Sequence, residues 1–137
     1  MTKSNLIVWD EASFEVGIED IDNQHRKLVG YVNNLSLAVN SHLEESHLSA
    51  LFMELYNYIK LHFKTEEIYF CTLNSDDCLL HELQHKHFIE ELDRIIALNE
   101  FKKNAREVLF SLTDWLVHHI QVEDKKFITQ NQHQSLI

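Results

Sequence analysis

Apolar side chains recur at three- and four-residue intervals in four long stretches of this chain, the spacing of one face of an α-helix. The first covers about residues 22–40, with Leu28, Val29, Val32, Leu35 and Val39 on one stripe. The second covers about 46–72, and its stripe reads Leu48, Leu51, Leu55, Tyr58, Ile59, His62, Glu66, Tyr69. The third starts near Asp77 and carries His81, His85, Phe88, Leu92, Ile95 and Ile96. The fourth starts near Asn104 and carries Val108, Leu112, Trp115, Leu116 and His119. Asp22 is placed to cap the first helix, because a short carboxylate accepts from the free amides of a first turn.

The links between stretches are short and polar: 41–45, 74–77 and 99–103. Short links between long helices make neighbours antiparallel, so the predicted fold is an all-α, up-down-up-down four-helix bundle. The first twenty residues lack a helical stripe, and Trp9, Phe14, Val16 and Ile18 are expected to pack this arm on the bundle. The chain of 137 residues suffices for one domain with a real core. Its expected parts are an arm (about 1–20), a bundle (about 21–128) and a short tail.

Composition sharpens the helical reading. Proline is absent and only Gly17 and Gly30 supply glycine, so sharp turns and strand punctuation are scarce. A formal net charge of −10 repels phosphate backbones, and no nucleic-acid partner is expected. No apolar run approaches the ~18 residues of a membrane span, and no secretory leader can be drawn at the start. Cys71 and Cys78 are too few for a disulfide framework. They read as two packed thiols in a reduced, cytoplasmic protein, with a redox disulfide as the minority option.

The ten histidines need explanation by position. His62 and Glu66 lie four apart on the second stripe, and His81 and His85 four apart on the third. His119 ends the fourth, followed by Glu123 and Asp124, and His25 precedes Leu28 on the first. Each stands where the pattern asks for an apolar side chain. An unpartnered buried imidazole or carboxylate costs several kcal/mol. One such histidine would be ordinary core, but four helices each bring such residues inward. Residues i and i+4 share a face, so each pair can grip one metal from one helix. Mixed imidazole and carboxylate donors suit iron, manganese or zinc, and not calcium. His87 and His118 are rotated off the seam, His42 and His47 flank a loop, and His133 sits in a polar stretch, so all five read as surface.

At this point the chain resembles the hemerythrin family in its single-domain bacterial form (bacteriohemerythrin). Ile21-Asp22-Asn23-Gln24-His25 is similar to the family's D-x-x-H, and His62-Phe63-Lys64-Thr65-Glu66-Glu67 to H-F-x-x-E-E. His81, His85 and Phe88 match H-x-x-x-H-x-x-F. Trp115-Leu116-Val117-His118-His119-Ile120 followed by Asp124 matches W-L-x-x-H-I-x-x-x-D. Helical spacing alone favours Glu123 as the partner of His119, whereas the family's pattern implies Asp124. The resemblance implies two non-haem iron ions joined by an oxo or hydroxo bridge. His81, His85 and His119 would hold one, His25 and His62 the other, with Glu66 and Asp124 bridging. The first iron is then saturated and the second keeps one open position, the mark of a reactive site. In the family O₂ binds there, and Leu28, Trp115 and Leu116 occupy positions like those lining its pocket. Phe70, Ser75 and Asp76 depart from the family's methionine and Tyr-Pro pair, which would alter the bend after the second helix.

The expected function is reversible dioxygen binding, as carrier, store or delivery protein. No residue beyond the ligands stands out as a base or nucleophile, so an enzyme is not expected. Two rivals remain at this level, besides a metal-free helical bundle, which the number of buried polar groups disfavours. One is sensing of oxygen, NO or iron through an unidentified protein partner. The other is a ferritin-like di-iron oxidase, which would use E-x-x-H pairs such as Glu44 with His47 and Glu82 with His85. A monomer is expected.

Overall fold

The computed structural model describes residues 7–135, so the first six residues of the expected arm and the last two of the tail lie outside the described residues. The described residues contain helices and no strands. A short α1 (Glu11–Phe14) precedes α2 (Glu19–Asn40), α3 (Glu45–Leu73) and α4 (Ser75–Ala97). A second short helix, α5 (Glu100–Lys103), leads into α6 (Ala105–His118). A π-helical turn over His119–Asp124 then passes without interruption into α7 (Lys125–Ser135). The expected tail beyond residue 128 is therefore helix as far as Ser135.

Side-chain pairs set the register. Asp20 meets Tyr69 and Tyr31 meets Tyr58, so α2 and α3 run antiparallel. Tyr56 pairs with Asp93, and Cys71 with Cys78, so α4 runs back along α3. Phe88 stacks on Trp115, and His81 meets Asp124, so the last helix is antiparallel to α4. Four long helices, counting α6 to α7 as one, make the predicted up-down-up-down bundle.

The connections explain how a chain so poor in glycine turns. After α2, His42 adopts φ 54°, and the amides of His42 and Leu43 reach back to the carbonyls of Val39 and Ala38. That is the Schellman closure, made with histidine where glycine is usual. Asn99 takes the same left-handed conformation after α4. Asn74 alone joins α3 to α4: it ends one helix and caps the next by accepting from the amides of Asp76 and Asp77, at 3.1 and 3.0 Å. The expected link over 74–77 is thus a single residue, because the side-chain cap lets α4 begin at once.

Asp22 differs from its expected role. It lies inside α2, and Ile18 occupies the cap position. Its carboxylate instead accepts from Val16 and Gly17, at 2.7 and 3.1 Å, and so ties the arm to the helix. Gly17 has φ 93°, which a side chain would disfavour, at the bend between arm and bundle. Tyr69 also departs from the stripe: it is exposed and hydrogen-bonds to Asp20, while its neighbour Phe70 is fully buried.

Two apolar clusters fill the bundle. The larger runs from Leu28 and Leu116 through Val32, Leu55, Ile59 and Leu92 to Phe52 and Phe101 at the far end. The smaller, Val16, Ile21, Phe70, Cys78, Phe127 and Ile128, packs the end that carries Asn74 and the arm.

Candidate metal centre

Between these clusters the four long helices each present polar side chains inward. His25, His62, Glu66, His81, His85, His119 and Asp124 are all buried, with Glu66 and Asp124 at zero exposure. Their donor atoms fall into two overlapping groups, each within 4.8 Å internally. One is Glu66, His81, His85, His119 and Asp124, and the other is His25, His62, Glu66 and Asp124. The two carboxylates belong to both.

The imidazoles all aim Nε2 at the carboxylates. His25 Nε2 lies 3.0 Å from Glu66 Oε2 and 3.2 Å from Asp124 Oδ2. His62 Nε2 is 3.0 Å from Glu66 Oε2, and His85 Nε2 is 3.1 Å from Glu66 Oε1. His81 and His119 approach Asp124 Oδ1 at 2.6 and 3.1 Å. His85 and His119 also bring their Nε2 atoms within 2.9 Å of each other.

The π-helical turn decides which of the two carboxylates faces inward. A turn with i to i+5 bonding holds one more residue than an α turn. It therefore carries Asp124, five residues after His119, onto the inner face, and Glu123 is rotated out to about one-third exposure.

Aromatic rings fix the imidazoles from behind. Phe63 stacks on His85 at 3.8 Å between centroids, nearly parallel, and Trp115 stacks on His119 at 4.5 Å. Phe70 stands edge-on to His81 at 4.7 Å and stacks on Phe127. Phe70, one of the departures from the family pattern, is thus a wall of the centre. Leu28 and Leu116 are buried in the larger apolar cluster, and Trp115 is half-buried between His119 and Phe88.

The electrostatics are those of a cation site. Burial pushes His25 and His85 down, but nearby carboxylates outweigh it and raise both to about 9. For His25 these are Asp124 and Glu66, and for His85 they are Glu66 and Glu67. Burial dominates at His62 and lowers it. Burial also works to raise Glu66, yet the surrounding imidazoles, His62 foremost and His25 with it, hold it well below the usual range. Even so, His62 Nε2, Glu66 Oε1 and Asp124 Oδ2 are buried without a hydrogen-bond partner. Three buried donor atoms without a hydrogen-bond partner, among five imidazoles, form a donor set that metal satisfies better than protons.

His42, His47, His87 and His118 are exposed, and the side chain of His133 is outside the described residues. Glu44 is exposed, and Glu82 turns away from the centre, 3.4 and 3.6 Å from the sulfurs of Cys71 and Cys78. The E-x-x-H pairs of a ferritin-like site therefore do not meet. Those sulfurs are bonded to each other, which corrects the expectation of two packed thiols. The single-residue turn at Asn74 brings the two Cα atoms to 5.0 Å, within disulfide range.

Two functional partners escape stripe reasoning. Gln24 Oε1 lies 2.8 Å from His62 Nδ1, and Glu67 Oε2 lies 2.9 Å from His85 Nδ1. Both stand beside a ligand candidate in the motifs quoted above, the only sequence signal they leave.

Fold and site together define a helical-bundle protein with a buried cation-binding centre of imidazoles and shared carboxylates. A family model described as "Hemerythrin HHE cation binding domain" matches residues 16–130, and the chain belongs to the hemerythrin family. It is 29% identical over 129 residues to the bacteriohemerythrin of Clostridium acetobutylicum, spanning 90% of this chain and 99% of that protein. A hemerythrin-like protein of Naegleria gruberi is 34% identical over 119 residues, 87% of this chain and 88% of that one. The crystal structure of a leucine-to-alanine mutant of hemerythrin superposes with a TM-score of 0.76 at 22% identity, over 93% of this chain and 98% of that one. That likeness speaks to the fold. No described helix is long and apolar enough to cross a membrane.

Proposed function

We propose that this centre holds two non-haem iron ions and binds dioxygen reversibly. His81, His85 and His119 hold one iron, and His25 and His62 the other. Glu66 and Asp124 would be shared between the two. The observation that carries this reading is the sharing of Glu66 and Asp124 between the two donor groups. Bound there, two irons would supply reversible two-electron exchange with O₂.

The protein's own residues do the rest. The two bridging carboxylates offset cationic charge in a site closed to bulk water. Phe63, Phe70 and Trp115 hold three imidazoles in fixed orientation. Leu28, Trp115 and Leu116 wall the side from which O₂ is taken, and apolar walls admit O₂ while limiting water and protons. Among the described residues the one buried acid beyond the ligand set, Asp22, is engaged by the amides of Val16 and Gly17, which favours holding O₂ over turning it over. The unit that does this is the whole chain, 1–137, acting as a cytoplasmic monomer.

Iron content and the optical spectrum test the proposal together. Two irons per chain, with near-ultraviolet and visible bands that appear in air and vanish on deoxygenation, are expected. A folded protein that takes up no iron would refute the site. Two irons with irreversible oxidation would refute reversible binding alone.

A further inference from the structure

The atoms behind the imidazoles are not alike on the two sides of the centre. Behind His62 runs a chain of hydrogen bonds with one direction. The Thr65 hydroxyl donates to the Leu61 carbonyl at 3.2 Å, which leaves its oxygen free to accept. Gln24 Nε2 donates to that oxygen, also at 3.2 Å. The Gln24 amide is thereby oriented with Oε1 toward His62, where it accepts from Nδ1 at 2.8 Å. The proton of a neutral His62 therefore sits on Nδ1, and Nε2 faces the centre bare.

Behind His85 the partner is Glu67, whose carboxylate only accepts, at 2.9 Å from Nδ1. The tautomer is the same and the charge is not. A carboxylate behind a metal-bound imidazole makes it a stronger donor, and a neutral amide does so much less. His25 lacks any such support, since its Nδ1 is buried without a hydrogen-bond partner. His85 belongs to the group with three imidazoles, and His62 and His25 to the group with two.

We propose that Gln24 and Glu67 are positioning residues that make the two metal positions electronically unequal. Glu67 enriches the three-histidine position and so favours its oxidised form. Gln24 orients His62 without adding charge, so the two-histidine position is kept from oxidising too readily. The inference rests on the di-iron reading, and it adds what sets the balance between the positions.

The test is the midpoint potential of the iron-loaded protein by spectroelectrochemical titration, for Glu67→Gln and Gln24→Glu, with iron per chain measured alongside. Glu67→Gln keeps an acceptor for His85 and removes only the charge. It should raise the potential by about 59 mV, a tenfold change in a one-electron equilibrium. Gln24→Glu should lower it by a similar amount and speed oxidation in air. Both variants should retain the parent's iron content. No shift in either variant, or a shift of the same sign in both, would overturn the proposal. Should Glu67→Gln fail to load iron, Gln24→Glu decides alone: a lowered potential supports the proposal and an unchanged one overturns it. A parent protein that takes up no iron would instead refute the di-iron reading beneath it.

Discussion

At the end of the bundle where α2 turns into α3, Leu35, Phe52, Leu55, Leu92, Phe101 and Leu109 belong to one apolar cluster. Seven to eleven residues away along α2, α3, α4 and α6, toward the α3–α4 turn, buried imidazoles and carboxylates replace that apolar filling. The first region is stabilised by removing apolar surface from water, at about 25 cal/mol per Å². The second has paid desolvation for seven polar groups, and only cations return it. Protons serve in the metal-free protein and metal in the loaded one. One end of the same bundle should therefore be indifferent to metal and pH, and the other governed by both.

The largest expected effect comes from Glu66→Ala. It removes a carboxylate from both donor groups and leaves buried imidazoles without their counter-charge. Iron per chain should fall to near zero, and the metal-free protein should lose roughly 3–5 kcal/mol, the cost of breaking a buried ion pair. Metal analysis and denaturant unfolding measure the two losses. At the other end, Leu55→Ala should cost about 2–5 kcal/mol through the cavity it opens, with iron content unchanged. Iron loss in that variant would break the division between the two regions.

A pH titration sharpens the contrast. His25 and His85 are raised to about 9 in the folded, metal-free protein. Protonation therefore favours folding. The contribution is complete below the unfolded value of about 6.5 and is lost as pH rises through about 9. Because the two imidazoles share Glu66, a combined loss of about 2–4 kcal/mol is expected over that window. Thermal melts of the metal-free protein should show it. The iron-loaded protein should be flat over the same range, since metal has displaced the protons. A smaller effect belongs to the bond between Cys71 and Cys78. Closing so short a loop stabilises by about 2.5 kcal/mol in the chain-entropy account. Reductant should lower the melting temperature and release two titratable thiols, with iron content unchanged.

The stripes of the sequence carried the bundle because helix faces repeat, and a buried polar residue on a repeating face is visible as an exception. His62, Glu66, His81 and His85 were legible in that way. Asp22 and the α3–α4 link were misplaced because caps depend on where a side chain reaches, and several polar residues there could reach. The Cys71 and Cys78 bond is the minority option in the sequence, since proximity comes from the hairpin at Asn74, which the spacing conceals. Gln24 and Glu67 were invisible to periodicity: they lie off the inward stripe and act through an imidazole, not by filling the core.

The smallest effect is the most pointed test of the local geometry. With regular α spacing, Glu123 would face His119 and Asp124 would turn toward solvent. The π-helical turn over His119–Asp124 reverses the two. Glu123 then keeps only peripheral contacts, with Gln84 at 3.4 Å and His118 at 3.9 Å. Glu123→Gln should therefore change stability by less than about 0.5 kcal/mol, as exposed pairs generally do. Its iron content and oxygenated spectrum should match the parent's. Loss of iron in this variant would mean that the turn is α-helical in solution and that the bridge is made by Glu123. The extra residue in that turn is thus what lets one helix supply His119 and a carboxylate to the same centre, and an otherwise silent substitution reports on it.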